Sequence, residues 1–173
     1  MTLRRRIIVA EQDGTLDAIT ALGALSGKGI SLGVGISILG GRPLPVAVRE
    51  LTTLDHLADG DLVVLLDPAG CTQSQVAEAV DLLRSMAAHE VTSTSGPTWQ
   101  LHEAPNRPLP TRGAFSLFLL AREGRESLAH LEAATGISAV AIGESGSAGE
   151  VWEFCSAEQV VALVERSKGS NAS

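Results

Sequence analysis

The sequence predicts an α/β domain built around parallel strands, and three observations carry that expectation. Strand-like and helix-like periodicities alternate along most of the 173 residues, which is the pattern of consecutive βα units with right-handed crossovers. The run Leu62 to Leu66 is apolar without a break, as a parallel strand covered by helices on both faces must be. The composition is 45% hydrophobic yet only 3% aromatic, with no Tyr and 18 Gly, which suits buried strands packed against Ala-rich helices. The length fits one domain with a real core, expected over residues 1–167 with a polar, disordered C-terminal tail at 168–173.

Each element follows from local signals. Arg6 to Ala10 reads as a short buried strand, and Leu16, Ile19, Leu22 and Leu25 place an apolar stripe on a helix that stops near Gly27 and Gly29. Ile30 to Leu39 is the second strand. The turn Gly40-Gly41 leads to Pro43 and Pro45, tolerated in a first helical turn, and Ala47, Leu51, Leu54 and Ala58 carry the core face of that helix. After the strand at Leu62 to Leu66, Thr72 with Gln75 forms a capping box for a helix lined by Val76, Val80 and Leu83. His89 to Thr94 and Thr98 to His102, joined through Ser95-Gly96-Pro97, read as a hairpin, followed by a Pro-rich connector from Glu103 to Arg112. Ala114 to Leu120 is a strand, Glu126 to Ala134 a helix, Ile137 to Ile142 a strand, and Ser156 with Gln159 caps a last helix. That makes five parallel strands.

Charge and cysteine usage narrow the function classes. A net charge of −7 argues against nucleic-acid or anionic-membrane partners, which clustered Lys and Arg would serve. The basic cluster Arg4-Arg5-Arg6 reads as a solvated edge. The apolar run after it is too short for a signal peptide, and no stretch is long enough for a membrane helix. Cys71 and Cys155 have neither a disulfide framework nor metal spacing, so reduced thiols in a cytoplasmic protein are expected. His56, His89, His102 and His130 stand without partners at recognisable spacing, so neither a metal set nor a Ser-His-Asp order can be assembled.

One stretch carries a resemblance. Leu32-Gly33-Val34-Gly35-Ile36, Arg42-Pro43, Arg49-Glu50-Leu51, Thr53-Leu54-Asp55-His56-Leu57 and Ala58-Asp59-Gly60-Asp61 resemble the strand–loop–helix pattern of the bacterial luciferase-like flavin monooxygenase family. Val80 to Arg84, Glu90-Val91-Thr92, Gly96, Trp99-Gln100-Leu101, Ala104 to Pro108, Ala133 to Gly136 and Ser156 to Gln159 follow the family in the same order, so the resemblance is collinear over about residues 17–165. A family member is roughly twice this long, an eight-stranded barrel. The resemblance therefore implies an incomplete or reduced (β/α) TIM-barrel-like domain with parallel strands, lacking most of the first two units and the fifth and sixth.

The resemblance also implies a cofactor, FMN or F420, and places candidates for it. Gly33 and Gly35, with Ile36, match the strand where backbone approaches the flavin ring; as plain strand glycines they mark a bulge or close packing. Arg42 follows that strand at its carboxyl end, where barrel sites sit, although a loop arginine is otherwise solvated. Arg122 and Arg125, and the loop Gly143 to Gly149 with Gly143 and Gly146 as amide donors, are the phosphate candidates, with Glu144 and Glu150 opposing an anion. Cys71 lies just past a strand end.

The function expected from these residues is a reduced-size luciferase-like flavin- or F420-dependent oxidoreductase or monooxygenase acting on a small molecule, with reduced flavin supplied by a separate reductase, since no dinucleotide fingerprint is present. The alternative is a non-catalytic luciferase-like subunit or flavin-binding protein acting through a partner. Five strands leave sheet edges open, so a homodimer is expected, burying a helix face such as Ala47, Leu51 and Leu54 or covering an edge.

Overall fold

A computed structural model describes residues 4–10, 17–26, 30–40, 42–142 and 150–169. The first apolar run forms β1 (Arg4–Ala10), and Asp17 caps α1 (Ala18–Gly23) by accepting the Ile19 amide. β2 (Ser31–Ser37) leads through Pro43 into α2 (Leu44–Leu57), whose Pro45 sits in the first turn where its missing N–H costs nothing. β3 (Leu62–Asp67) is buried along its whole length, and the Thr72/Gln75 capping box opens α3 (Gln73–Ala88). The hairpin β4 (Val91–Ser95) and β5 (Gln100–Pro105) stands apart as its own two-stranded sheet. β6 (Ser116–Ala121), a 3-10 turn at Arg125–Leu128, α4 (Ala129–Thr135), β7 (Ala139–Ala141), β8 (Glu150–Cys155) and α5 (Ala157–Gly169) complete the chain. Gly136 ends α4 in the left-handed conformation, φ 67°, which only glycine adopts without strain. No helix among the described residues is long and apolar enough to cross a membrane.

The main sheet has six strands, all parallel, in the order β7-β6-β3-β2-β1-β8. The sixth is β8, which the sequence reading did not contain; it pairs with β1 from Arg4↔Glu150 to Val9↔Cys155. β3 is hydrogen-bonded directly to β6, so the units that the resemblance sets between them contribute no strand here.

Alternation along each strand divides the side chains between two cores. Ile7, Val9, Leu32, Val34, Ile36, Val64, Leu66 and Leu119 face the helices, where Leu22, Leu51, Leu54, Val80, Leu83 and Val160 cover them. Ala47, Leu51 and Leu54 are at most 4% exposed within this layer. That face of α2 is thus used up inside the chain, and the homodimer surface expected on it is not available. On the other face Ile8, Val63, Leu65, Leu120, Val140 and Trp152 form a second core with Ala10, Phe118 and Phe154 against it.

The inner core shows that the sheet is curled. β6 and β8 are four strand positions apart, about 19 Å on a flat sheet. Yet the Phe118 and Trp152 rings meet edge to face with centroids 5.2 Å apart. The sheet is a parallel, incomplete barrel wrapped about its own side chains; its end strands β7 and β8 are not paired with each other among the described residues.

Its amino-terminal end is closed by Arg6, 4% exposed. The guanidinium donates to the Leu32 and Asp61 carbonyls at 2.7 and 2.9 Å, to Asp61 Oδ1 at 2.9 Å and to both Glu150 oxygens at 2.9 and 3.3 Å. Trp152 Nε1 donates to Glu150 as well, at 2.7 Å. Burial pushes Glu150 up, but the hydrogen bonds from Arg6 and Trp152 outweigh it and hold the carboxyl below its ordinary range. The expectation of a solvated basic edge is corrected here: strand alternation sends Arg5 out to an exposed pair with Glu153 and turns Arg6 inward.

Candidate functional site

Parallel strands put all their carboxyl ends on one side, where the loops of a barrel gather functional groups. There the loop after β3 and the segment after β6 enclose a cleft of about 410 Å³, lined by Asp67 to Cys71, Leu120, Arg122, Glu123, Ser127, Leu128, His130 and Leu131. The volume falls within the range of ligand pockets, about 300–1,000 Å³.

Asp67 fixes the cleft wall. Its Oδ1 accepts the Ala69 amide at 3.0 Å, holding the turn after β3. Its Oδ2 accepts from Arg122 Nε at 2.6 Å, which ties that turn to the end of β6. Asp67 is 6% exposed, whereas the Arg122 side chain, which lines the cleft, is 37% exposed. Cys71 is half-buried in the same wall; burial first, and the Asp67 charge second, push its thiol up. A raised thiol is mostly protonated at neutral pH, so Cys71 is not an activated nucleophile. His130 is exposed on α4 at the rim.

The candidate residues do not converge. Arg122 is in the cleft, and Arg125 lies in a neighbouring depression with Glu123, Glu126 and Glu132, where it is paired to Glu132 at 3.1 Å. Arg42 is bound between Asp17 at 2.7 Å and Glu50 at 2.6 Å, joining the start of α1 to α2. Gly33 and Gly35 are in the barrel interior, where Ile8, Ala10 and Leu120 pack over them. Ile36 points the other way, into the helix-covered core. Gly143 and Gly146 lie outside the described residues; the flanking Ile142 follows the carboxyl end of β7 and Glu150 begins β8 at the amino end. Among the described residues no group of His, Cys, Asp and Glu could hold a metal ion.

The sequence reading named Arg122 and Cys71 but passed over Asp67, Ser127 and His130 as a set. The one local signal for Asp67 was an acid at the carboxyl end of an apolar strand before Pro-Ala-Gly, a turn in which aspartate bonds the backbone two residues on.

No protein-family model matches the chain, and no curated protein matches it. Solved structures do. The coenzyme F420-dependent tetrahydromethanopterin reductase of Methanopyrus kandleri aligns with TM-score 0.59 and 15% identity over 72% of this chain and 44% of that one. A monooxygenase from Streptomyces bottropensis gives 0.58 and 15% over 71% and 44%. An F420-dependent secondary alcohol dehydrogenase, in complex with an F420-acetone adduct, gives 0.51 and 13% over 98% and 66%. The chain spans under half the length of the first two. The likeness is one of fold: the six curled parallel strands form part of the α/β barrel that these structures share.

Proposed function

We propose that the chain binds a flavin-type cofactor, FMN or F420, at the carboxyl-terminal face, and serves a luciferase-like oxidoreductase or monooxygenase reaction on a small molecule. The single observation that carries this reading is the 410 Å³ cleft at the strand carboxyl ends with an arginine held in it, on a fold shared with a reductase and a dehydrogenase named for F420. The residues present fit such a group at the cleft: Arg122 supplies a cation for a phosphate, and Leu120, Leu128 and Leu131 supply apolar wall for a ring. The bound flavin or deazaflavin would supply the hydride or electron chemistry. The chain's own part is to hold the phosphate with Arg122, to fix that arginine through Asp67, and to keep water from the apolar wall.

A specific observation favours the second reading, a non-catalytic subunit or flavin-binding protein acting through a partner. The glycine strand that the resemblance assigns to the flavin ring is covered by Ile8 and Leu120. A homodimer, a separate flavin reductase and a cytoplasmic location remain parts of this proposal.

The test is a titration of the purified protein with FMN and F420, oxidised and reduced, followed by cofactor fluorescence, in wild type and Arg122→Ala. Losing one charge-assisted hydrogen bond costs about 1.5–3 kcal/mol, roughly ten- to a hundredfold in affinity. The proposal expects saturable binding weakened by about that factor in Arg122→Ala. No binding up to millimolar cofactor rejects it.

A further inference from the structure

The barrel interior does not fit a flavin ring, and the reason is local. β1 and β2 run in register with Ile8 beside Gly33 and Ala10 beside Gly35. A Cβ built on Gly33 would stand 2.7 Å from Ile8 Cγ1, and one on Gly35 would stand 2.9 Å from Ala10 Cβ and 3.5 Å from Leu120 Cδ2. Carbon atoms in contact sit about 3.5–4.0 Å apart, so the space a side chain on Gly33 would use is already filled by Ile8, which leans across the bare backbone of the next strand. Ile8 is fully buried and Leu120 is 2% exposed. A planar ring laid on the glycine backbone would have to occupy the volume of those two side chains. The inner core around these glycines is made of Ile8, Val63, Leu65, Leu120, Val140 and Trp152, so its chemistry, if opened, suits an aromatic ring.

We infer that Ile8, assisted by Leu120, is the residue that excludes planar aromatic ligands from the barrel interior, confining any flavin to the outer cleft. The glycines of β2 serve close packing rather than ring contact. This rests on the proposed function only for the choice of FMN as probe. It has a general precedent in physical terms: an apolar cavity made by truncating a core aliphatic side chain stays dry and accepts an aromatic molecule.

The experiment compares wild type, Ile8→Ala and Ile8→Ala/Leu120→Ala by amide chemical shifts of Gly33 and Gly35. Indole, a small neutral aromatic, probes the cavity in both variants, and FMN is added to wild type. The inference expects the Gly33 and Gly35 amides of wild type to be unmoved by either ligand. Indole should shift Gly33 in Ile8→Ala and both glycines in the double variant. A Gly33 shift in wild type with either ligand overturns it, since the ring would then enter past Ile8. So does a folded Ile8→Ala in which indole leaves Gly33 in place, whatever the fate of the double variant. Failure of the proposed function is read separately: wild type that ignores FMN everywhere rejects the cofactor reading, while opening of the interior in Ile8→Ala still stands or falls on Gly33.

Discussion

Replacing Arg6 by Met tests the account of how the amino-terminal end is closed. Methionine keeps the unbranched apolar stem but removes every donor. Glu150 and Asp61, whose side chains are 13% and 19% exposed, would lose their buried cation, and the carbonyl of the buried Leu32 would lose its side-chain donor. Breaking a buried ion pair by deleting one partner costs about 3–5 kcal/mol, most of it from the charge left behind. In a chain of this length each kcal/mol moves the unfolding midpoint by about 2–4 °C, so a drop of about 6–20 °C is expected in a thermal melt followed by circular dichroism at pH 7. The pH dependence gives an independent check. Glu150 has a folded pKa held below its unfolded value, so its stabilisation is complete above the unfolded carboxylate value of about 4.3 and is lost as pH falls through the folded one. The gap between wild type and Arg6→Met should therefore narrow below about pH 4.3, and adding Glu150→Gln to Arg6→Met should recover part of the loss at pH 7. A midpoint loss under about 2 °C, or a gap that does not narrow as pH falls well below about 4.3, refutes the reasoning.

Gly33→Ala should destabilise by about 1–3 kcal/mol, the usual cost of overpacking, because its Cβ would stand 2.7 Å from Ile8 Cγ1; urea unfolding measures it, and a neutral effect would mean the interior is looser than described. Gly96→Ala should detach the β4–β5 hairpin from α3. A Cβ there would run into the Glu78 carboxylate, which accepts the Thr98 and Trp99 amides at 2.9 to 3.2 Å. Trp99 fluorescence should shift to the red in a protein whose main sheet stays folded. Burial raises the Cys71 and Cys155 thiols, aided by Asp67 and Glu153 respectively, so both should alkylate more slowly than free cysteine at pH 7. Asp67→Asn should speed Cys71 alone; equal rates before and after would remove the Asp67 contribution.

The helices and inner strands were legible because their signals are local. The capping box at Thr72, the apolar face of α2 and the unbroken run of β3 each depend on neighbours a few residues away. β8 was not, since Glu150 and Glu153 break its apolar character and only pairing with Arg6 and Arg5 on a strand from the other end of the chain makes them compatible with a sheet. Arg6 was misjudged for the same reason: three consecutive arginines look uniformly polar until strand alternation assigns each to a face. The glycines of β2 did announce close approach of something to the backbone. What approaches, Ile8 and Leu120 rather than a ligand, is fixed by strand order and curl, which periodicity does not encode. The cleft was only half visible, because Asp67 and Arg122 meet through two loops that are far apart in sequence.

One measurement reaches the curled sheet and its filled interior directly: through-space nuclear Overhauser contacts in the isotope-labelled protein between the Phe118 and Trp152 rings and between the Ile8 side chain and the Gly33 backbone. The structure predicts both, with the two rings at 5.2 Å and Ile8 lying over Gly33. A folded protein showing neither, with Phe118 and Trp152 in contact only with their own neighbouring strands as in a flat sheet about 19 Å across those positions, would contradict the barrel and the sealed interior together.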